Sequence, residues 1–224
     1  MAAGDTSSTQ HEQALSELCQ SYWYPLYAYL RRRGYNSHQA EDYTQSFFAQ
    51  IIEKKYLSQV EPKSGKFRSF LLVALKHFVS NQQASASAIK RGGSSQILSI
   101  DIETAEGKYS REPDFGLSPD KLFERSWALE ILNKTMSRLE KELTNMNKKE
   151  LFRTLKIFLV GDKEGLTYND VAVILNMTEQ AVKVAVYRLR NRYREMLREE
   201  IAQTVTTHEQ INEEISALFD ALSD

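Results

Sequence analysis

Residues 167–191 read TYNDVAVILNMTEQAVKVAVYRLRN, and this stretch decides the fold that we expect for the chain. Its apolar residues recur at helical spacing on both sides of Asn176, which predicts two short helices joined by a tight turn. Thr167 is placed to cap the first helix together with Asp170, and Thr178 is placed to cap the second. Asn176 suits the turn because asparagine tolerates a left-handed backbone better than most residues do.

The apolar positions of this stretch predict how its two helices pack. The residues expected between them are Val171, Ala172, Leu175, Met177, Ala181, Val182, Ala185 and Leu189. Two short helices packed across a tight turn are typical of a helix-turn-helix, in which the second helix enters the DNA major groove. The same residues leave open an ordinary helical hairpin with a solvated basic face.

The outward side of the second helix carries groups that can read base edges and hold phosphates. The residues that we predict to contact DNA there are Thr178, Glu179, Gln180, Lys183, Val184, Tyr187, Arg188 and Arg190. Further arginines, at 192, 194 and 198, continue the basic character and are suited to phosphates.

Composition predicts an all-α protein of the cytoplasm. The 224 residues include 9 Gly and 4 Pro, with long stretches of helix formers. The single cysteine, Cys19, excludes an internal disulfide framework and fits a reducing compartment. We see neither a signal peptide pattern nor an apolar run of membrane-spanning length, so no membrane insertion is expected. Without a glycine-rich phosphate loop or metal-spaced Cys and His residues, we expect no enzyme activity, cofactor or metal site.

The net charge of −1 hides four blocks of alternating sign. Residues 1–93 carry +4, 94–120 carry −4, 121–199 carry +5 and 200–224 carry −6. Two basic helical blocks separated by an acidic connector indicate two small helical domains. We therefore expect a disordered N-terminus (1–9), a helical domain (10–93), a flexible acidic linker (94–117), a helical domain containing the helix-turn-helix (118–200) and an acidic helical tail (201–224).

The first domain has a basic, amide-rich edge. A loop with Gly65 between lysines leads into an apolar helix, which turns polar at Asn81 and Gln82 and ends at Lys90 and Arg91. Amides that contact bases, followed by cations that hold phosphates, would suit nucleic acid. Taken by themselves, these residues favour a fraying helix end.

Four motifs in this order resemble a bacterial RNA polymerase sigma factor of the extracytoplasmic-function class (ECF, group IV). They are AEDYTQSFF at 40–48, GKFRSFLL at 65–72, KRGG at 90–93 and AVKVAVYRLR at 181–190. The resemblance covers most of residues 15–200. It implies a transcription initiation factor that binds polymerase core and promoter DNA and has no catalysis of its own.

The resemblance also implies roles for single residues. The clamp of the largest polymerase subunit would be contacted by Asp42, Gln45 and Phe48, and the polymerase flap would be a further contact of the chain. The helix from Thr178 would read the upstream (−35) element. The start-proximal (−10) element would be held and melted by Lys63, Ser64, Gly65, Lys66, Phe67, Arg68, Asn81, Gln82, Lys90 and Arg91. An anti-sigma factor is a further candidate partner. The Val-Ala-Val run at 184–186 departs from many relatives, so DNA shape is expected to add to base readout.

An alternative is a helix-turn-helix regulator whose N-terminal domain senses a ligand or dimerises. The basic, amide-rich segment 63–91 argues against it, because a sensor domain would not need such an edge. A separate hypothesis concerns the acidic tail after Glu200, which we expect to dock on the basic surface from Arg188 to Arg198 and to restrain DNA binding.

Overall fold

The computed structural model describes residues 21–53, 66–86, 102–111, 116–160 and 165–223. These residues are helical and contain no strand, which confirms the predicted all-α class. Within these ranges, none of the helices has both the length and the apolar character needed to cross a membrane. The N-terminus that we predicted to be disordered, 1–9, lies outside the described residues.

Ten helices are described. They are α1 over 21–32, α2 (Ser37–Glu53), α3 (Phe67–Ala86), α4 (Ile102–Arg111), α5 (Pro119–Asn145), α6 (Lys149–Leu155), α7 (Ile157–Val160), α8 (Tyr168–Leu175), α9 (Glu179–Ala202) and α10 (His208–Ser223). The chain forms two compact units: unit 1 comprises Met1–Glu130 with Thr204–Asp224, and unit 2 comprises Ile131–Gln203. A unit boundary therefore falls inside α5, and the last helix is part of unit 1.

The core of unit 1 is built around the aromatic helix α1. Every residue of 22–30 is buried. Trp23 and Tyr27 stack with ring centroids 5.1 Å apart, and Tyr22 meets Phe67 edge to face at 5.4 Å. Large aromatic side chains bury much apolar surface each, so this helix carries a large share of the hydrophobic stabilisation. Two further helices add apolar residues spaced three and four apart: Phe47, Phe48 and Ile51 from α2, and Leu71, Leu72, Leu75 and Val79 from α3. The start of α5 and helix α10 also contribute buried residues: Leu122, Phe123, Trp127, Ile211 and Leu218.

Helix α4 lies inside 94–117, where we expected a flexible linker, so that expectation is wrong for Ile102–Arg111. The carboxylate of Glu106 accepts hydrogen bonds from the Tyr27 hydroxyl and from Arg31 at 3.0 and 2.7 Å. Burial alone would raise the pKa of Glu106, but the bonds from Tyr27 and Arg31 outweigh burial and hold that pKa below its ordinary value. The helix is short and polar and is held by charge, so apolar periodicity could not predict it.

The core of unit 2 joins the later part of α5 to α6–α9. Its buried residues are Leu139, Phe152, Leu155, Phe158, Val171, Ala172, Val182, Val186, Leu189 and Met196. The helical segment from Lys149 to Val160 is divided at Lys156 into α6 and α7. There the amide of Leu159 donates to the carbonyl of Lys156 at 2.9 Å, which is the tighter spacing of a 3₁₀ turn.

Candidate nucleic-acid interface

The start of α8 is closed by a capping box, as predicted. The Thr167 hydroxyl oxygen accepts from the Asp170 amide at 3.2 Å, and the Thr167 amide donates to the Asp170 carboxylate at 2.8 Å. Hydrogen bonds from the Thr167 hydroxyl and then from its backbone lower the pKa of the Asp170 carboxyl. Both ends of the box lie three residues apart in sequence, which is why the sequence alone could predict it.

The turn between α8 and α9 also has the predicted geometry. Asn176 adopts a left-handed conformation with φ 50° and ψ 47°. The amide of Met177 donates to the carbonyl of Ala172 at 2.9 Å, which satisfies a terminal carbonyl of α8. Thr178 then caps α9 by accepting from the Ala181 amide at 3.2 Å. Local hydrogen bonds therefore set the direction in which α9 leaves the turn.

The outward side of α9 is exposed over its first three turns. Tyr187 is 65% exposed and Val184 is 38% exposed, and Lys183 pairs with Glu179 at 2.6 Å along the same side. The exposed predicted residues are Thr178, Glu179, Gln180, Lys183, Val184, Tyr187 and Arg188. We call this set the α9 face. It combines an amide, cations, a carboxylate and apolar groups, which is the chemistry needed to contact base edges and phosphates.

Two arginines of α9 are bound to groups of unit 2 and do not point freely to solvent. Arg190 donates to the Phe158 carbonyl oxygen at 2.9 Å from Nη2 and at 3.3 Å from Nε. Arg192 makes a forked contact with Glu142, with hydrogen bonds of 2.7, 2.9 and 3.2 Å. These bonds with Glu142 raise the pKa of Arg192 and lower that of the carboxyl. The phosphate roles predicted for Arg190 and Arg192 are therefore at odds with their placement, because both guanidinium groups are bound within unit 2.

The buried side of α9 differs slightly from the predicted one. Val182, Val186 and Leu189 are buried, whereas Ala181 and Ala185 are only half-buried. We had not assigned Val186 to the core. The spacing of four and three residues from Val182 through Val186 to Leu189 is a helical stripe that the sequence does contain. On α8, two apolar residues that we had not considered are exposed, Val173 at 77% and Ile174 at 61%.

In unit 1, Asn81 and Gln82 are exposed and lie at the edge of a cleft between α2 and α3. The cleft has a volume of about 410 Å³ and a mainly apolar lining: Phe47, Ile51, Phe70, Val73, Ala74 and Phe78, with the polar Gln50 and His77 and the two amides. Amides beside apolar rings could hold an unpaired base. Five other predicted residues lie outside the described part of the chain: Lys63, Ser64, Gly65, Lys90 and Arg91.

The cations at the start of α3 are bound by carboxylates of the same unit. Arg68 is 7% exposed and donates to Glu214 from Nε at 2.7 Å and from Nη2 at 3.2 Å. It also pairs with Glu124, and its guanidinium lies over the Trp127 ring at 4.4 Å. The Lys66 Nζ contacts Glu214 at 2.9 Å. Buried charges persist only when they are paired, so Arg68 is an internal cation here and does not form the exposed DNA contact that we predicted.

This arrangement also corrects our hypothesis on the acidic tail. Helix α10 lies in unit 1, where Glu214 is 1% exposed between Lys66 and Arg68. The tail was expected to dock on Arg188 to Arg198 instead. Composition correctly indicated an acidic helix that binds cationic side chains. Charge alone could not decide which basic segment supplies those side chains.

The predicted clamp contacts on α2 differ in exposure. Asp42 is exposed, and Gln45 is half-buried and donates to Glu41 at 3.1 Å. Phe48 is 1% exposed and packs beside Phe47, with ring centroids 5.7 Å apart. Phe48 is therefore a core residue, and its predicted role as a contact for a partner is wrong for this structure.

No family model matches the chain, and neither a curated protein nor a solved structure gives a match. Within the described ranges, His, Cys, Asp and Glu side chains form no group of three or more that could hold a metal ion. The function therefore has to be argued from the residues themselves, above all from the α9 face.

Proposed function

We propose that this chain is a sigma factor of the ECF class, which binds RNA polymerase core and directs initiation at specific promoters. The observation that carries the proposal is the α9 face. Its seven residues are exposed on a helix whose start and direction are set by two caps and a left-handed turn. That combination is what a helix-turn-helix needs to place side chains in a major groove.

The chemistry of the α9 face suits mixed readout of the upstream element. Gln180 can bind adenine through both the oxygen and the NH₂ of its amide, and Arg188 can bind guanine through its guanidinium fork, each worth about 1–3 kcal/mol of discrimination. Val184 and Tyr187 offer apolar contact to thymine methyl groups. Two such polar positions within one short face read few base pairs, so DNA shape completes the specificity.

The first unit supplies the second promoter contact in this proposal. Segment 63–91 holds the start-proximal element, with exposed Asn81 and Gln82 at an apolar cleft. Exposed Asp42 and half-buried Gln45 on α2 are left as the contacts for the polymerase clamp. The flap of the polymerase and an anti-sigma factor are further partners, and the setting is the cytoplasm. The protein has no catalysis of its own.

The test is core-dependent initiation on a promoter library, with transcript starts mapped. We expect initiation at a defined set of promoters that share an upstream element. Arg188→Ala should lower initiation by an amount that corresponds to about 1–3 kcal/mol and should relax the preference at one base position. Arg153→Ala is the matched control, because Arg153 is an exposed arginine on α6 that pairs only at the surface with Glu150. Absence of core-dependent initiation at every promoter would refute the proposal.

A helix-turn-helix regulator with a sensory first domain is the second candidate. The apolar cleft of about 410 Å³ between α2 and α3 is large enough for a small ligand and therefore favours it. A regulator of this kind binds duplex DNA tightly without polymerase core, whereas a sigma factor depends on core. Duplex binding assays with and without core separate the two functions.

A further inference from the structure

The carboxylate of Glu214 lies where the start of α3 would receive an anion. One oxygen contacts the Lys66 Nζ at 2.9 Å and Arg68 Nη2 at 3.2 Å, and the other contacts Arg68 Nε at 2.7 Å. A guanidinium fork assisted by a lysine is also the arrangement by which proteins bind phosphate. Glu214 thus occupies a ready-made oxyanion site with a side chain of the same protein.

A second carboxylate reinforces the first. Glu213 is 61% exposed in its side chain and lies 3.8 Å from the Lys66 Nζ. We call the contact of these two residues with Lys66 and Arg68 the tail contact. It places two negative charges at the two cations, so a phosphate approaching Lys66 meets carboxylates where it would need a positive surface.

We propose that α10 is an internal competitor of nucleic acid: through the tail contact it covers Lys66, beside the internal cation Arg68, until a single strand displaces it. The proposal rests on the proposed function in one respect, namely that segment 63–91 meets nucleic acid. It assigns to the acidic tail a regulatory role at the strand-holding surface, not at the α9 face.

The cation at the edge of the tail contact is open to solvent. The fully buried residues of α10 are Ile211, Glu214 and Leu218, and Ile215, Ala217, Ala221 and Leu222 are half-buried. The remaining acids, Glu209, Glu213 and Asp220, are exposed. Lys66 is 28% exposed in its side chain and is therefore within reach of salt and of phosphate. Charge pairs of this kind weaken as ionic strength rises.

The experiment measures the affinity of the full chain for a fluorescein-labelled oligothymidylate by anisotropy over a range of salt concentrations. Glu214→Gln keeps the shape of the side chain and removes its charge. Glu209→Gln is the matched control. Glu209 is an exposed acid of the same helix, and it lies more than one helical turn before Glu213 and Glu214. Circular dichroism establishes that each variant is folded.

We expect Glu214→Gln to bind the strand more tightly than wild type and Glu209→Gln to bind as wild type does. Because Arg68 keeps Glu124 as a partner, Lys66 is the cation that is released. The slope of log affinity against log salt should therefore steepen by about 0.7, the contribution of one single-strand phosphate contact. Adding Lys66→Gln to Glu214→Gln should remove that increase. Equal slopes for folded Glu214→Gln and Glu209→Gln would overturn the proposal.

If Glu214→Gln does not fold, a variant of an exposed residue tests the proposal. Glu213→Gln removes the exposed member of the tail contact and should still bind the strand more tightly than Glu209→Gln, though by less than the buried variant would. Equal affinities of these two variants would then refute the proposal. The initiation assay is a separate readout. If the chain shows no core-dependent initiation, the proposed function is refuted whether or not the slopes differ. If the chain initiates transcription and the slopes are equal, only the competition between α10 and nucleic acid is refuted.

Discussion

Replacing Arg68 with methionine is expected to destabilise unit 1 strongly. The change leaves the buried Glu214 carboxylate with Lys66 as its remaining partner in the tail contact. It also removes the partner of Glu124 and the cation over the Trp127 ring. Removing one member of a buried ion pair typically costs about 3–5 kcal/mol, because the other charge stays buried without compensation. We expect a loss of that size in the free energy of unfolding.

Urea unfolding followed by tryptophan fluorescence measures this loss in unit 1 alone. The chain has 2 tryptophans, Trp23 and Trp127, and both belong to unit 1. With a slope of about 1–3 kcal/mol per molar urea, the expected loss lowers the midpoint by at least about 1 M. Lys76→Met is the control, since Lys76 pairs with Asp120 at the surface, where such pairs contribute about 0–1 kcal/mol.

A double variant tests the physical reason for the loss. Arg68→Met combined with Glu214→Leu removes both charges and offers apolar groups of similar size, and such replacements of buried ion pairs are often neutral or stabilising. The double variant should therefore recover most of the stability lost by Arg68→Met. A single variant within about 1 kcal/mol of wild type, or a double variant no more stable than the single, would refute our account of the buried pair.

Three further predictions concern unit 2. Thr178→Ala should cost about 1 kcal/mol by removing the cap of α9, seen as faster amide exchange in its first turn. Asn176→Ala should cost about 1–2 kcal/mol and Asn176→Gly much less, because φ is positive there; thermal unfolding compares the two variants. The lowered pKa of Glu142 means that its bond with Arg192 contributes fully above the ordinary value of 4.5 and is lost as pH falls through the folded-state value. The stability difference between wild type and Glu142→Gln, followed by circular dichroism, should therefore shrink below pH 4.5, and a difference that grows there would contradict it.

Local chemistry made the α8–α9 pair predictable. The capping box of Thr167 and Asp170, the left-handed Asn176 and the cap by Thr178 join groups no more than a few residues apart. Such bonds form wherever the local sequence allows them, so the residue types suffice to predict them. The burial of the aromatic run 22–30 also follows from residue type, since so much apolar surface has to be removed from water. That the α9 face contacts DNA stays a prediction.

Long-range partners were not predictable in this way. Glu106 meets Arg31 across 75 positions of sequence, and Arg68 meets Glu214 across 146. The sequence does not indicate which residue a carboxylate or guanidinium will pair with, because ion pairs lack the periodicity that apolar packing imposes. For the same reason, composition predicted an acidic tail and basic segments but could not pair them.

The sequence by itself thus determined the helical class, the caps and turn before α9 and the alternation of charge along the chain. Tertiary structure decided which of the predicted contact residues remain accessible. Phe48 and Arg68 carry side chains suited to a partner, yet both are buried by their own unit. Exposure depends on what packs against a residue from distant parts of the chain, and that is a property of the folded arrangement.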